Sequence, residues 1–363
     1  MVRIGVIGCG YWGPKLVRNF SQVPGAEVIA VADKRVERLA HLTGHAPDAR
    51  LLTNPDELIA MREIDAVVIA TPASTHYELA SKALRAGKHV LVEKPLTPSS
   101  ELGKRLIDEA ARRNLVLMVD HTFVYTGAVR TMKQILDEGG VGDILYFDSV
   151  RINLGSFRHD VNVLWDLAAH DLSIMDFLLR RHPRAVSATG MSHVFGRTED
   201  VGFLTLYFDD TLIAHVHANW LAPVKIRRAL IGGSKQMIVY DDLEPADKIK
   251  VYDRGIVLDN DPERFGEVRI AYRTGEMRAP LVDTTEALRT AALHFIRCIM
   301  FGERPITDGE AGVRVVQILE AATQSMADRG KPVDVAAAHP PISAEKALPN
   351  SSHGNWAANA RRL

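Results

Sequence analysis

The chain has 363 residues, 47% of them hydrophobic, with a formal net charge of −1. That length points to two domains rather than one, and the near-zero charge removes the electrostatic case for a nucleic-acid or anionic-membrane partner. The two cysteines, Cys9 and Cys298, are too few for a disulfide framework. No apolar run approaches the ~20 residues of a spanning helix and no leader pattern opens the chain, so a cytoplasmic protein is expected.

Val2–Ile7 is a short apolar run that breaks into Gly8-Cys9-Gly10-Tyr11-Trp12-Gly13, and an amphipathic run follows over Pro14–Phe20. Strand, glycine turn and helix in that order carry the G-x-G-x-x-G spacing of a dinucleotide fold. Gly8 permits the tight turn, Gly10 lets the backbone approach a pyrophosphate, and Gly13 lets the helix pack closely on the strand. The helix N-terminus offers free N–H groups to the phosphates. The next strand, Glu27–Ala32, ends at Asp33, twenty residues beyond Gly13. A carboxylate there accepts from the adenosine ribose 2′-OH and repels a 2′-phosphate, which favours NAD. Lys34 and Arg35 pull the other way and leave NADP open.

Helical stretches are expected at Val36–Leu42 and after Asn54-Pro55, and Ile64–Ala70 reads as a strand covered on both faces. Thr71-Pro72 ends it. A helix over Thr75–Ala86 closes at Gly87, a buried strand over His89–Val92 ends in Glu93-Lys94-Pro95, and Ser99–Arg113 (helix) and Leu115–Val119 (strand) complete the alternation. Such alternation implies a parallel sheet with ligands at the carboxyl ends of its strands. Gly8–Gly13, Asp33, Lys34, Thr71, Pro72, Glu93 and Lys94 then share one rim as candidate cofactor contacts. His76 joins them at a helix start, where a plain structural role is equally open.

From about Thr122 the pattern changes. A helix over Ala128–Glu138 stops at Gly139-Gly140, a long strand covers Asp143–Leu154, and an irregular piece leads into a helix over Leu164–Arg180. Six further strands lie between Ala185 and Tyr252, with hairpin turns at Phe208–Thr211 and Gly232–Ser234. Successive strands without helices between them mean an antiparallel sheet. Helices over Thr285–Phe301 and Asp308–Ala327 follow, the second capped by Asp308. Residues 336–363, rich in Ala, Pro, Asn and Ser, read as a mobile or peripheral tail. The expected organisation is a Rossmann domain over 1–121, an α+β domain with a large open, mostly antiparallel sheet over 122–335, and the tail.

A lysine at the end of a buried strand in a cofactor cleft can hold a substrate hydroxyl and stabilise oxygen charge as a hydride leaves. Pro95 restricts the geometry of Lys94. Asp166 and His170 stand at i, i+4, which puts both on one helical face, and a histidine beside a carboxylate is a candidate proton acceptor. A cap at Asp166 and a half-buried His170 explain the same spacing equally well. Arg151, Asn153, Arg158 and Asn162 surround the entry to that helix and suit a phosphate or sugar hydroxyls, although each alone reads more readily as a solvated surface group. Lys225 and Arg227 share a strand face and add positive charge. No cluster reads as a metal site.

Gly8–Gly13, Asp33, Glu93-Lys94-Pro95 and Asp166-x3-His170 together resemble the Gfo/Idh/MocA oxidoreductase family, over Val2 to about Val335. The resemblance implies NAD(P)-dependent chemistry on a sugar or cyclitol carbon, with Lys94 as catalytic lysine, Asp166 as its partner and His170 as general acid/base. It also implies a homodimer or homotetramer built through the C-terminal sheet. Asp120–Tyr125, Arg151–Gly155, Asp160–Asn162 and Trp165–Asp171 look most similar to nucleotide-sugar 3-dehydrogenases acting on UDP-N-acetylglucosamine or its uronic acid. That similarity adds Tyr125 to Lys94, Arg151, Asn153, Arg158, Asn162, Asp166 and His170 as substrate contacts. Where many members carry glycines before the catalytic Asp, this chain has Val163-Leu164-Trp165. An NADPH-linked 3-ketoreductase on a dTDP-sugar, an NAD-assisted glycosidase and a non-catalytic NAD(P) sensor stay open as alternatives.

Overall fold

The computed structural model describes residues 1–335 except 41–43, 45, 156, 159–160, 195, 197, 210 and 260–268. The expected tail, the end of the Val36–Leu42 helix and Asp210 of the first hairpin turn lie outside the described residues. Six strands, β1 (Val2–Ile7), β2 (Ala26–Ala32), β3 (Arg50–Leu52), β4 (Ala66–Ile69), β5 (His89–Glu93) and β6 (Leu117–Asp120), form a parallel sheet in the order β3-β2-β1-β4-β5-β6. That is the doubly wound order, in which the chain reverses direction beside β1 and opens a crevice there.

The helices between these strands are α1 (Gly13–Gln22), α2 (Val36–Leu39), α3 (Pro55–Ala60), α4 (His76–Arg85) and α5 (Ser100–Arg113). Their starts follow local chemistry. Asn54 accepts from the Asp56 N–H at 2.9 Å and Ser99 from the Leu102 N–H at 3.4 Å, each satisfying an orphan donor of the first turn.

After α6 (Gly127–Asp137) comes the second sheet. Its strands are β7 (Ile144–Ile152), β8 (Ala185–Met191), β9 (Val201–Tyr207), β10 (Ile213–Asn219), β11 (Ile226–Gly233), β12 (Met237–Asp241) and β13 (Ile249–Tyr252). A separate hairpin pairs β14 (Gly255–Asp259) with β15 (Arg269–Arg273), and the short strands β16 (Met277–Arg278) and β17 (Val333–Asp334) form the edges of the large sheet. The order is β16-β13-β12-β11-β7-β10-β9-β8-β17, antiparallel except where β10 runs parallel to β7.

Each strand alternates. Phe147, Ser149 and Arg151 of β7 point inward, while Tyr146 and Asp148 point out beside Ile213 and His215 of β10. The inner face is closed by α6, α7 (Ala169–Leu179) and α9 (Gly309–Ala327). On the outer face Tyr146, Phe203 and Ile213 are exposed, and Phe203 stacks on His217 at 4.4 Å.

Two features depart from the sequence expectation. The segment from Leu164 is not one continuous α-helix: Leu164–Ala168 form a wider π turn, in which the Ala169 N–H reaches back five residues to Leu164. Asn162 starts it, accepting from the N–H groups of Leu164 and Trp165 at 3.1 and 3.3 Å. Such π turns recur at functional sites because they displace the side chains that follow.

The last two helices also return to the first sheet. α8 (Ala287–Phe301) packs on α1, where Phe295 meets Phe20 edge-on at 6.2 Å, a geometry worth ~0.5–1.5 kcal/mol beyond burial. Glu286 accepts from Arg18 and Asn19, and α9 lies along α5. Cys9 and Cys298 are both buried free thiols, each pushed up to about 12, mainly by burial.

Candidate active site

The carboxyl ends of β1, β2, β4 and β5 open into a cavity of about 930 Å³ that extends to the π turn of the second unit. The glycine turn forms its floor. Gly8 has φ +99°, and a Cβ there would stand 2.6 Å from the Ala70 carbonyl oxygen. A Cβ on Gly13 would lie 2.0 Å from the Gly8 oxygen, so Gly13 serves helix–strand packing and does not line the cavity. A Cβ on Gly10 would meet Arg38 Nη1 at 3.6 Å, leaving its backbone open to the cavity. That cradle suits a pyrophosphate.

Asp33 is 8% exposed. Its Oδ2 accepts from the Cys9 N–H at 2.6 Å and its Oδ1 from the Arg35 N–H at 2.8 Å, which fixes the carboxylate at the cavity wall. Arg38 Nη1 lies 3.7 Å from Oδ2, a cation that sequence spacing did not single out. Lys34, Thr71, Pro72, Tyr11 and Trp12 line the same space. Lys15 Nζ sits 3.6 Å from the Tyr11 ring centroid and 4.4 Å from that of Trp12, holding both rings at the mouth.

Lys94 follows the last residue of β5, and its bond to Pro95 is cis. Its Nζ donates to the Asp166 carbonyl at 2.6 Å and lies 3.4 Å from Asp166 Oδ1. The π turn therefore meets the first unit through this lysine. Burial pulls the Lys94 ammonium below its ordinary range, against the opposing pull of Asp166 and Glu93. Trp220 Nε1 donates to Asp166 Oδ2 at 3.2 Å, and Arg158 Nε stands 3.8 Å from Oδ1.

His170 lines the same cavity. Its Nδ1 is buried without a hydrogen-bond partner among the described residues, which leaves Nε2 as the nitrogen on the cavity side. Burial first, then the charges of Lys94 and Arg151, hold its imidazole well below the usual range. It is neutral at pH 7 and able to accept a proton. Phe123 meets it edge-on at 4.9 Å, and Arg151 stacks on Phe123 at 4.3 Å.

Glu93 stands opposite Asp120 in the β5–β6 register. Burial raises Glu93 well above the carboxylate range and Asp120 to about 6. Two buried carboxyls at adjacent strand ends hold a shared proton more readily than two charges.

Five further candidates stand away from this cavity. His76 is 1% exposed, with Nδ1 2.8 Å from the Pro95 oxygen and Nε2 2.9 Å from the Thr71 oxygen, so it ties two rim loops together from behind. Tyr125 is 1% exposed and its hydroxyl meets Thr307 Oγ1 at 3.0 Å, inside the core against α8. Arg151 is 2% exposed and turned into the sheet interior, where Asp171 neutralises it. Asn153 extends the sheet, its N–H donating to Asn219. Asn162 is the π-turn cap described above. None of these five lines the cavity. Each is polar and near the site in sequence, but for all except Asn153 burial and hydrogen-bond partners engage the side chain.

Models of an oxidoreductase family match both units: the NAD-binding Rossmann fold of Gfo/Idh/MocA over residues 2–121, and the Gfo/Idh/MocA C-terminal domain over 129–239. The chain is 30% identical over 255 residues to UDP-N-acetylglucosamine 3-dehydrogenase of Acidithiobacillus ferrooxidans, covering 70% of this chain and 78% of that protein. The chain belongs to the Gfo/Idh/MocA oxidoreductase family.

A solved structure of a UDP-N-acetylglucosamine 3-dehydrogenase from A. ferrooxidans superposes with a TM-score of 0.76 at 27% identity, over 90% of this chain and 98% of that one. Levoglucosan dehydrogenase in complex with NADH and levoglucosan shares the fold, with a TM-score of 0.79 at 22% identity over 93% of this chain and all of that one. A dTDP-3,4-didehydro-2,6-dideoxy-α-D-glucose 3-reductase of Streptomyces violaceoruber is 36% identical over 222 residues, 57% of this chain and 63% of that protein. As a Gfo/Idh/MocA member the chain is an NAD-binding oxidoreductase of the kind that acts on CH–OH groups. Among the described residues no group of three or more His, Cys, Asp or Glu stands together as a metal site, and no helix is long and apolar enough to cross a membrane.

Proposed function

We propose that this Gfo/Idh/MocA oxidoreductase oxidises the C3 hydroxyl of a UDP-N-acetylhexosamine, or of its uronic acid, with NAD. The observation that carries the reading is the convergence of Lys94, Asp166 and His170 in one cavity with the Gly8–Gly13 cradle and Asp33. The UDP-N-acetylglucosamine 3-dehydrogenase relative supports the choice of substrate. Residues 1–121 hold the dinucleotide and 122–335 the sugar.

NAD, when bound, supplies the hydride acceptor at nicotinamide C4. His170 takes the hydroxyl proton on Nε2, its neutral imidazole being ready for that task. Lys94 donates to the same oxygen and stabilises the charge that develops as C–H and O–H bonds break. Asp166, anchored by Trp220, holds Lys94 through its carbonyl and carboxylate. Arg158 stands beside Asp166 at the cavity and suits an anionic part of the substrate. The exposed outer face of the large sheet, with Tyr146, Phe203 and Ile213, supports assembly as a homodimer or homotetramer.

Mixing stoichiometric protein and NAD with UDP-N-acetylglucosamine, its uronic acid and dTDP-sugars is expected to give a single-turnover rise at ~340 nm with a UDP-sugar, slowed ~10²–10⁴-fold in His170→Ala. Demonstrated NAD binding with no rise for any UDP-sugar would overturn the reading.

A second reading, an NADPH-linked 3-ketoreductase, is favoured by Arg38 beside Asp33 and by the reductase relative. Asp33→Ser frees Arg38 for a 2′-phosphate and removes a charge-assisted hydrogen bond to the ribose. It is therefore expected to shift the NADP/NAD ratio of kcat/KM upward by ~10–100-fold. An unchanged ratio would remove Asp33 from cofactor selection, and a wild type already preferring NADPH would favour the reductase.

A further inference from the structure

β5 and β6 end side by side on two carboxyls. Glu93 and Asp120 are direct partners in the parallel register, so their backbones lie about 4.8 Å apart and their side chains leave the same face of the sheet. Glu93 is 8% exposed and lines the active-site cavity beside Lys94, whereas Asp120 is 1% exposed and does not reach it. Each carboxyl has one oxygen engaged. Glu93 Oε2 accepts from the Lys94 N–H at 3.2 Å, and Asp120 Oδ1 from the Thr122 hydroxyl at 2.9 Å. The other two oxygens, Glu93 Oε1 and Asp120 Oδ2, are buried and meet no donor among the described residues. The two carboxyls stand within hydrogen-bond reach of each other. One proton between them satisfies both orphan oxygens.

The surroundings leave that unit with a single negative charge. Lys94 is the cation that acts on Glu93, but its ammonium is turned to the carbonyl and carboxylate of Asp166. His121, next after Asp120, is pushed down to about 3, chiefly by burial, and His76 and His170 are also held below their ordinary range by burial. Burial keeps the Tyr125 hydroxyl protonated. Asp166 and Arg158 stand 3.8 Å apart at the π turn and offset each other.

A nicotinamide ring is cationic when oxidised and neutral when reduced. In the proposed reaction Lys94 holds the oxygen of the carbon that gives up hydride, so the accepting ring comes to the part of the cavity that Glu93 lines. We propose that the Glu93–Asp120 pair selects the charge state of the cofactor, giving up its shared proton more readily when NAD occupies the cavity than when NADH does. The pair's role rests on that placement of the reacting carbon at Lys94. The balance closes over a cycle. On reduction the hydride, with its electron pair, cancels the ring's charge, and the pair takes up a proton from water. When NAD replaces NADH the pair returns that proton to water, while the substrate's own proton leaves separately through His170.

Binding linkage is reciprocal, so rising pH must favour NAD over NADH. Burial raises both carboxyls, Asp120 to about 6 and Glu93 well above the carboxylate range, which places the window from about pH 6 upward. Loss of the Lys94 proton acts in the same direction, so Lys94→Met separates the two groups.

Isothermal titration of the protein with NAD and with NADH, from about pH 6 to about pH 9 and in two buffers of different ionisation enthalpy, gives both affinities and the protons exchanged. The ratio Kd(NADH)/Kd(NAD) is expected to rise about tenfold across that range in the wild type and in Lys94→Met, with NAD binding releasing more protons than NADH binding. Glu93→Gln and Asp120→Asn each place an amide donor in the pair and leave one fixed charge, so the ratio should hold within about twofold across the range. Glu93→Gln combined with Asp120→Asn removes the charge, and the ratio at about pH 8 should fall about tenfold below wild type.

A wild-type ratio independent of pH overturns the role, as does an equal proton count for the two cofactors. So does a slope that survives in both single variants or disappears in Lys94→Met. Equal losses of NAD and NADH affinity in the double variant would make the pair purely structural. No sugar enters these titrations. A sloping ratio in a protein that oxidises no UDP-sugar sinks the substrate assignment and keeps the pair, and a flat ratio in an active dehydrogenase does the reverse.

Discussion

Replacing Lys94 by Met is expected to lower kcat by ~10³–10⁴-fold while leaving NAD affinity within about twofold. The ammonium lies 2.6 Å from the Asp166 carbonyl and lines the same cavity as His170. In the proposed reaction it meets the reacting oxygen, whereas the cradle at Gly8–Gly13 and the carboxylate at Asp33 are assigned to the cofactor. Met keeps the length and much of the volume but carries neither charge nor donor. Asp166, the less buried member of the pair, keeps Arg158 and the Trp220 indole as partners, so the fold should tolerate the change. The measurement is single-turnover reduction followed at ~340 nm beside NAD binding followed by protein fluorescence. Equal losses in both would make Lys94 a structural residue of the cleft.

The second large effect is on stability. Arg151 and Asp171 are 2% and 5% exposed at the side chain and make two hydrogen bonds, at 2.5 and 3.3 Å, inside the second unit. Arg151→Met leaves the Asp171 carboxylate buried without its cation, and is expected to cost ~3–5 kcal/mol in urea unfolding. Arg151→Met combined with Asp171→Leu removes both charges and should recover most of that loss, since an apolar pair of similar volume needs no desolvation to be repaid. A single variant with the wild-type midpoint and slope would show that the pair contributes nothing. The same pair sets the entry to α7: Asp171 follows His170, and Arg151 stacks on the Phe123 ring that meets the imidazole. The single variant should therefore also slow turnover in the fraction that stays folded.

Several parts of this site are local properties of the chain and are legible in it. A glycine that must adopt φ +99° against a neighbouring carbonyl has to be glycine, and the spacing from Gly8 to Asp33 is set by the length of one strand, one helix and one strand. Apolar runs over Ala66–Ile69 and His89–Glu93 are buried on both faces, and their ends fall on one rim because parallel strands share a direction. The caps Asn54, Ser99 and Asp308 each bond a first-turn N–H a few residues away.

Other assignments fail for a common reason. Tyr125, Arg151, Asn162 and His76 have the chemistry of ligand contacts, yet each side chain is engaged by a partner the sequence pattern did not point to, from Thr307 and Asp171 to the Pro95 carbonyl. Arg38 and Trp220 escape notice for the converse reason. An arginine on a short helix and a tryptophan after a strand carry no signal until folding sets one at Asp33 and the other at Asp166.

The chain alone carries the alternation of strand and helix, the glycine turn of a doubly wound fold and the change to an antiparallel sheet beyond Thr122. These follow from periodicity, glycine sterics and capping, all of which act within a few residues. That a π turn interrupts the helix before His170 and that Lys94 grips the carbonyl of Asp166 emerged only from the tertiary structure. It also decided which nearby polar groups face the cavity and which are spent in the core. The physical reason is that burial and partner choice are properties of segments far apart in the chain, and hydrogen bonds and desolvation are settled only when those segments meet.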